Sequence, residues 1–435
     1  MSDQECKNCY TCQKECGQCY TCQTCVESEN NLGGAGVKVD IKAGIQDMRT
    51  ERHRLKAITV GDVQIPEKFF ELTLWNTSRC NFRCDYCFVY KLYPNQENKD
   101  LKDEVIEKLP EFLEKYFVPN PNIWFFGGEP MYSWDTIVKV YETVKPRIPN
   151  ANFGMTSNLA LITEEKAKWL GARKFGILCS IDGGKESHNT HRKFADGKPT
   201  WEYVWKGLEN VRKYINQNPQ IRWTVAPETV KYLYNDFLFY VKQGLTNLAI
   251  EPVYEIEWKQ EDLEAWASEL EKIGKFLVDS NIPIRVKSFD DLMILFNPQP
   301  ISQSQWKTRC GLAQGGIGMD INGRVFACHR FVATMKEDLT IGDVFNGIDE
   351  EKRKALTEYW AKERPYMVSN SERCETCPFR WGCMGGCLAV NYDVNGDVHK
   401  VPKAYCDIME INTKRLLPYV LVLRQQGKMA GRQTY

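Results

Sequence analysis

ELTLWNTSRCNFRCDYCFVYKL, residues 71–92, is the stretch on which the reading of this chain turns. An apolar, strand-like run, Leu72–Trp75, leads directly into Cys80, Cys84 and Cys87, spaced C-x3-C-x2-C. Thiolate is the usual ligand of iron–sulfur clusters, and three on one short loop hold three irons of a 4Fe–4S cube. The fourth iron is then open to a substrate or cofactor. A zinc knuckle is the competing reading, but a closed zinc site takes four ligands and no fourth Cys or His lies nearby.

Outward from that loop the pattern alternates. Further strand-like runs fall at Ile123–Phe126, Asn152–Met155, Phe175–Ile181, Ile221–Ala226 and Leu248–Val253. Helical periodicity lies between several of them, most clearly in Leu263, Trp266, Leu270, Ile273 and Leu277 at spacings of three and four. Strand alternating with helix predicts an α/β fold, a parallel sheet with right-handed crossovers. Six strands predict an open, partial (β/α)6 TIM-like barrel with its chemistry at the C-terminal strand ends. Those ends carry Gly127-Gly128-Glu129-Pro130, then Thr156 and Asn158, then Ser180-Ile181-Asp182-Gly183. An isolated Gly-Gly is ordinarily a turn. At three successive strand ends together, these residues read as one pocket, with glycine letting a ligand approach the backbone.

Composition narrows the class. Lys+Arg and Asp+Glu both number 57 in 435 residues, a balance with no overall pull toward nucleic acid or an anionic membrane. The start, MSDQECKNC, lacks the layout of a secretion signal, and the greasy stretch Leu416–Leu423 is too short to span a bilayer and contains Pro418. The expectation is a soluble, cytoplasmic protein. There, 18 cysteines are better explained as metal ligands or reactive thiols than as disulfides. Seven lie between residues 6 and 25, three in the loop at 80–87 and seven between 310 and 406. Cys179 stands alone within an apolar run and is expected to be a buried thiol.

The Cys80/Cys84/Cys87 array, with Tyr86 before its last cysteine, resembles the signature of the radical S-adenosylmethionine (SAM) superfamily. The resemblance implies that the open iron chelates the amino and carboxylate groups of SAM. An electron from the cluster then breaks a carbon–sulfur bond and releases a 5′-deoxyadenosyl radical. It further implies cofactor contacts from Gly127, Gly128, Glu129 and Pro130, which resemble the GGEP motif. Thr156, Asn158, Ser180 and Asp182 would contribute at the next strand ends, with Arg192 placed for the SAM carboxylate.

The C-terminal cysteines resemble the seven-cysteine SPASM domain of radical SAM enzymes that mature peptides and proteins. The pattern is Cys310-x12-Gly323-x4-Cys328, then Cys374-x2-Cys377-x5-Cys383-x3-Cys387, then Cys406. By that resemblance Cys374, Cys377, Cys383 and Cys406 ligate one auxiliary cluster, and Cys310, Cys328 and Cys387 supply three ligands to another. Two structural zincs are the alternative. The fourth ligand of the second cluster comes from elsewhere, or the site is open to a substrate thiolate. Where the sulfatase-maturating branch carries an aspartate after the second SPASM cysteine, this chain has His329, which can accept a proton but departs from that branch. His188 and His191 sit in a loop after the fourth strand, where a solvated role is favoured.

The expected organisation is a Cys-rich segment 1–35, a lead-in 36–70, a radical SAM partial barrel 71–299, a SPASM domain 300–410 and a C-terminal tail 411–435. The first segment repeats ECKNCYTCQK as ECGQCYTCQT, and Cys6, Cys9, Cys12 and Cys16 also fit a ferredoxin run. A cluster site, a flexible tail and a mimic of a cysteine-rich substrate peptide all remain open for it. The function this implies is a radical SAM peptide maturase, abstracting hydrogen from a ribosomal, Cys-containing peptide to form a thioether or other crosslink. The alternatives are anaerobic oxidation of Cys or Ser to formylglycine and, in another class, an iron–sulfur electron-transfer protein. The implied cofactors are SAM and three 4Fe–4S clusters, and the partners are a peptide or protein substrate and a reductant such as flavodoxin or ferredoxin.

Overall fold

A computed structural model describes residues 67–92, 99–296, 313, 315–334, 339–357, 373 and 385–429. The N-terminal cysteine array and Cys310, Cys374, Cys377 and Cys383 lie outside the described residues.

Six parallel strands follow one another in chain order: β1 (Phe69–Thr77), β2 (Phe117–Gly127), β3 (Asn152–Ser157), β4 (Gly176–Ser180), β5 (Ile221–Val225) and β6 (Asn247–Pro252). Between and after them run α1 (Phe88–Leu92), α2 (Asp103–Tyr116), α3 (Trp134–Val144), α4 (Glu164–Ala172), α5 (Lys185–His191), α6 (Trp201–Tyr214), α7 (Leu233–Lys242) and α8 (Gln260–Asp279). All six expected strands are present, within a few residues of their expected bounds.

Alternation along the strands separates two faces. Ile221, Trp223 and Val225 of β5 are buried, and the Trp223 ring packs edge-on against Tyr240 of α7 at 5.2 Å. Arg222 and Thr224 therefore point the opposite way, into the concave lumen. Phe125 of β2 likewise joins Phe153 and Phe175 in a stack on the helix side, at ring separations of 6.4 and 6.3 Å. Trp124 and Phe126 face the lumen. Cys179 of β4 is fully buried on the helix side, and desolvation pushes its thiol well up, as expected for a structural residue.

Beyond β6 come β7 (Arg285–Val286) and α9 (Lys287–Phe296), then β8 (Gly316–Met319), β9 (Arg324–Phe326), α10 (His329–Val332), β10 (Thr340–Asp343), β11 (Gly347–Ile348), α11 (Leu388–Asn395) and α12 (Lys403–Gln425). The described strands form one sheet in the order β11-β10-β9-β8-β1-β2-β3-β4-β5-β6-β7. β8 pairs in parallel with β1, Glu71 opposite Gly316 through Leu74 opposite Met319, so the sheet runs on without a break into the cysteine-rich region.

The segment read as a tail from 411 is, through Gln425, most of α12. Trp266 Nε1 on α8 donates to Asn412 Oδ1 at 2.7 Å, and Arg415 bonds Glu264 and Glu271 at 3.0 and 2.6 Å. Leu416, Val420 and Leu423 are buried, so the helix is held by docking onto α8 and tolerates Pro418 in its interior. No helix among the described residues is long and apolar enough to cross a membrane.

Candidate active site at the strand ends

The loop after β1 is fastened from both sides. Ser78 N donates to Lys99 O at 2.9 Å and Arg83 N to Lys193 O at 2.8 Å, while Phe82 meets Phe194 edge-on at 5.3 Å. Within it, Phe82 N donates to Cys80 Sγ at 3.4 Å and Cys87 N to Cys84 O at 3.1 Å. Cys80, Cys84 and Cys87 are half-buried. Burial, then the nearby Glu129 carboxylate, pushes the Cys80 thiol up to about 12, and burial raises Cys84 further. Thiols so placed stay protonated unless a positive centre replaces the proton. Three soft donors and no fourth make a set that fits the iron–sulfur cube.

The turn after β2 locks onto this loop. Gly128 N donates to Thr77 O at 3.0 Å and Glu129 N to Arg79 O at 2.8 Å. A Cβ on Gly127 would lie 2.2 Å from Thr77 O, and one on Gly128 would lie 2.1 Å from Arg79 O. The glycines thus make room for the chain's own backbone, where the sequence reading had a ligand approaching it. Glu129, 2% exposed, accepts from Met131 N at 3.1 Å, Ser157 Oγ at 2.8 Å and Asn158 N at 2.7 Å. Burial pushes its carboxyl up to about 7 against those bonds. Asn158 Nδ2 donates to Asn81 Oδ1 at 2.9 Å, and Asn76 Nδ2 donates to Pro130 O at 3.0 Å. The ends of β1, β2 and β3 are therefore one hydrogen-bonded unit centred on Glu129. Thr156 lies deeper and accepts from Trp124 Nε1 at 2.9 Å.

A second hub is Asp182, just past β4. Its carboxylate accepts from Arg192 Nε at 2.8 Å, from Thr224 N at 2.9 Å and from the Tyr86 hydroxyl. Arg192 also lies over the Tyr86 ring at 5.6 Å. Asp182 thereby ties β4 and β5 to Tyr86, directly before Cys87. Ser180, 8% exposed, sits one pleat below.

His188 is not the solvated loop residue expected; it is fully buried in α5. Asp182 N donates to Nδ1 at 3.3 Å, so Nε2 carries the proton and donates to Thr200 Oγ1 at 3.0 Å. The Thr200 hydroxyl in turn donates to Arg192 O at 2.7 Å. His191 packs on Tyr86, ring centroids 5.8 Å apart, with Asp85 and Glu228 at 3.4 and 3.6 Å.

Of the C-terminal cysteines, Cys328, Cys387 and Cys406 are described. Cys328 caps α10, its Sγ accepting from Arg330 N at 3.2 Å; Cys387 immediately precedes α11, and Cys406 is in the first turn of α12. His329 packs against Phe126 at 5.2 Å, and Phe126 stacks on Phe88, directly after Cys87, at 6.2 Å. His329 keeps accessible surface beside these rings. Desolvation by the surrounding protein, then Arg330, lowers its pKa to about 4, so its imidazole is neutral at pH 7. Arg330 bonds Asp393 at 3.0 Å and Glu255, and lies 4.2 Å from the Phe88 ring centre.

The sequence reading missed Ser157, Asn81, Thr200, Thr224 and Arg330. Each is a common polar residue whose role depends on a partner distant in the chain. The spacing of Ser157 and Asn158 at the third strand end was the one available signal.

Residues 77–232 match the model of the radical SAM superfamily, so the chain carries a radical SAM domain. The radical SAM cyclopropyl synthase TigE of Paramaledivibacter caminithermalis is 23% identical over 84% of this chain and 77% of its own length. A cysteine-type anaerobic sulfatase-maturating enzyme of Clostridium perfringens is 24% identical over 72% of this chain and 86% of its own. The solved structure of native anSMEcpe with bound AdoMet and the Cp18Cys peptide superposes with a TM-score of 0.65 at 21% identity, over 82% of this chain and 99% of that one, which speaks to the fold.

Proposed function

We propose that this radical SAM enzyme is a peptide maturase that takes hydrogen from a Cys-containing ribosomal peptide and leaves a thioether or other crosslink. The observation that carries the reading is the coupling of the Cys80–Cys87 loop to the ends of β2, β3, β4 and β5 through two buried carboxylates, Glu129 and Asp182. Cys80, Cys84 and Cys87 would hold a 4Fe–4S cluster, which with SAM would supply the 5′-deoxyadenosyl radical.

The chain's residues do the positioning. Glu129, bonded to Ser157 and Asn158, presents the Gly127–Pro130 turn to the SAM amino group. Arg192, pinned by Asp182 and stacked on Tyr86, keeps its remaining guanidinium nitrogens for the SAM carboxylate. Thr156, Asn158 and Ser180 line the pocket for the nucleoside. Preorganisation of this kind removes the cost of arranging the donors at the moment of reaction. His329, neutral and facing Phe126 at the mouth, is the candidate proton acceptor.

Cys328, Cys387 and Cys406, with Cys310, Cys374, Cys377 and Cys383, are proposed to hold two auxiliary clusters in a SPASM domain, and a flavodoxin or ferredoxin is proposed as reductant. Formylglycine formation remains the second reading, supported by the sulfatase-maturating relatives and weakened by His329 where that branch has aspartate.

The test is anaerobic reconstitution, reduction and incubation with SAM and cysteine-rich peptides, read by mass. The peptide should lose about two hydrogen masses for each crosslink, and 5′-deoxyadenosine should accumulate. Cys84→Ala protein that forms 5′-deoxyadenosine at the parent's rate would overturn the reading.

A further inference from the structure

Arg222 is a charged residue on the lumen face of β5 that the arrangement above does not use. It sits on β5 beside Ser180 of β4 and Ala249 of β6 in the strand register, on the face opposite Trp223. Its Nη1 is buried and has no hydrogen-bond partner. A guanidinium nitrogen withdrawn from water without a partner costs stability, and native proteins rarely leave one so without a reason.

The nearby carboxylates are committed elsewhere. Lys287 lies between Glu251 and Asp291 at 2.6 and 2.5 Å, and Asp182 is saturated by Arg192, Thr224 and Tyr86. Arg222 is near enough for Glu251 and Tyr254 to feel its charge, but no carboxylate among the described residues lies within ion-pair distance of it. The lumen therefore holds a cation oriented by the sheet, with Nη1 unpartnered on a guanidinium whose planar fork matches a carboxylate.

Two carboxylates can enter this lumen, that of SAM and one carried by a peptide. Position separates them. Arg192 stands against the cysteine loop, where its charge is felt by Cys84 and Glu129. Arg222 stands on the β5–β6 side, with Glu251 and Tyr254. The aminoacyl end of SAM must lie at the cluster, so the guest of Arg222 comes from the other side.

We propose that Arg222 anchors the peptide substrate by binding an acidic side chain next to the reacting cysteine, which makes it a specificity-determining residue. This rests on the peptide-maturase reading above.

The experiment uses reconstituted holoenzyme, parent and Arg222→Gln, with two probes: acetyl-Gly-Glu-Cys-Gly-amide and acetyl-Gly-Gln-Cys-Gly-amide. Equilibrium dialysis gives the affinity for each peptide and for radiolabelled SAM, with iron content as the folding control. The parent should prefer the Glu peptide by about tenfold, as one charge-assisted bidentate pair provides. Arg222→Gln should bind both peptides alike while holding SAM within about twofold of the parent, and Arg222→Lys should recover part of the preference.

A parent that treats the two peptides alike, including by binding neither, overturns the inference, and that arm needs no variant. A SAM affinity that falls in Arg222→Gln as far as the peptide preference does overturns it too, because the carboxylate is then that of SAM. If the parent cleaves no SAM at all, the maturase reading fails; if it cleaves SAM without peptide discrimination, only Arg222 is at issue.

Discussion

His188 should make the fold sensitive to mild acid. Both ring nitrogens are used inside a site without solvent: Nδ1 accepts from Asp182 N and Nε2 donates to Thr200 Oγ1. Protonating Nδ1 would set two N–H groups against each other. Burial first, then the positive charge of Arg192, lowers its pKa to about 3. An unfolded histidine titrates near 6.5. Between those values the unfolded chain binds a proton that the native chain refuses. The stabilisation is therefore complete above about pH 6.5 and is lost progressively as pH falls toward 3.

From pH 7.5 to pH 5 the loss is about 2 kcal/mol, at 1.36 kcal/mol per unit below 6.5. Glutamine at 188 does not titrate in this range. Replacing His188 should cost about 2 kcal/mol at pH 7.5 through two impaired buried hydrogen bonds. The gap between His188→Gln and the parent should then close nearly to zero at pH 5. Anaerobic urea unfolding of both proteins at both pH values, followed by tryptophan fluorescence, measures it. A gap of the same size at pH 5 and pH 7.5 refutes the argument.

Gly128→Ala should displace the cysteine loop, since its Cβ would stand 2.1 Å from Arg79 O. Iron content after reconstitution should drop, with about 2–4 kcal/mol lost in unfolding experiments. Asn412→Leu leaves Trp266 Nε1 without its 2.7 Å acceptor and should cost about 1–3 kcal/mol, read as faster amide exchange in α12. Burial raises Asp236 to about 6, so the fold loses stability as pH rises from about 4 through 6. Asp236→Asn should remove that slope and gain about 1 kcal/mol at pH 7.5, discounted because the side chain is partly exposed; thermal unfolding across pH checks it.

The six strands were legible because buried parallel strands read as short apolar runs, and the first four runs here lead into glycine or a small polar residue. α8 was legible because Leu263, Trp266, Leu270, Ile273 and Leu277 keep strict helical spacing, and all five are buried. α12 was not. Its sequence mixes Asn412, Thr413, Lys414 and Arg415 with Pro418, and it is helical because docking onto α8 satisfies Asn412 and Arg415. At the candidate site Glu129 stood out by motif, yet its partners Ser157 and Asn158 lie far along the chain, and only the β2–β3 register brings them to it.

Sequence alone determined where the three thiols of the Cys80–Cys87 loop lie, because residues within one eight-residue loop are brought together by chain connectivity and short-range backbone geometry. It also determined the order of β1 to β6, because each crossover among them joins neighbours. Tertiary structure alone decided the state of the ionisable groups: that His188 is a neutral strut, that Asp182 is occupied by Tyr86, Arg192 and Thr224, and that Arg222 is left without a partner. Charge and protonation are set by burial and by through-space neighbours, and those come from residues tens of positions apart that only the folded sheet places side by side.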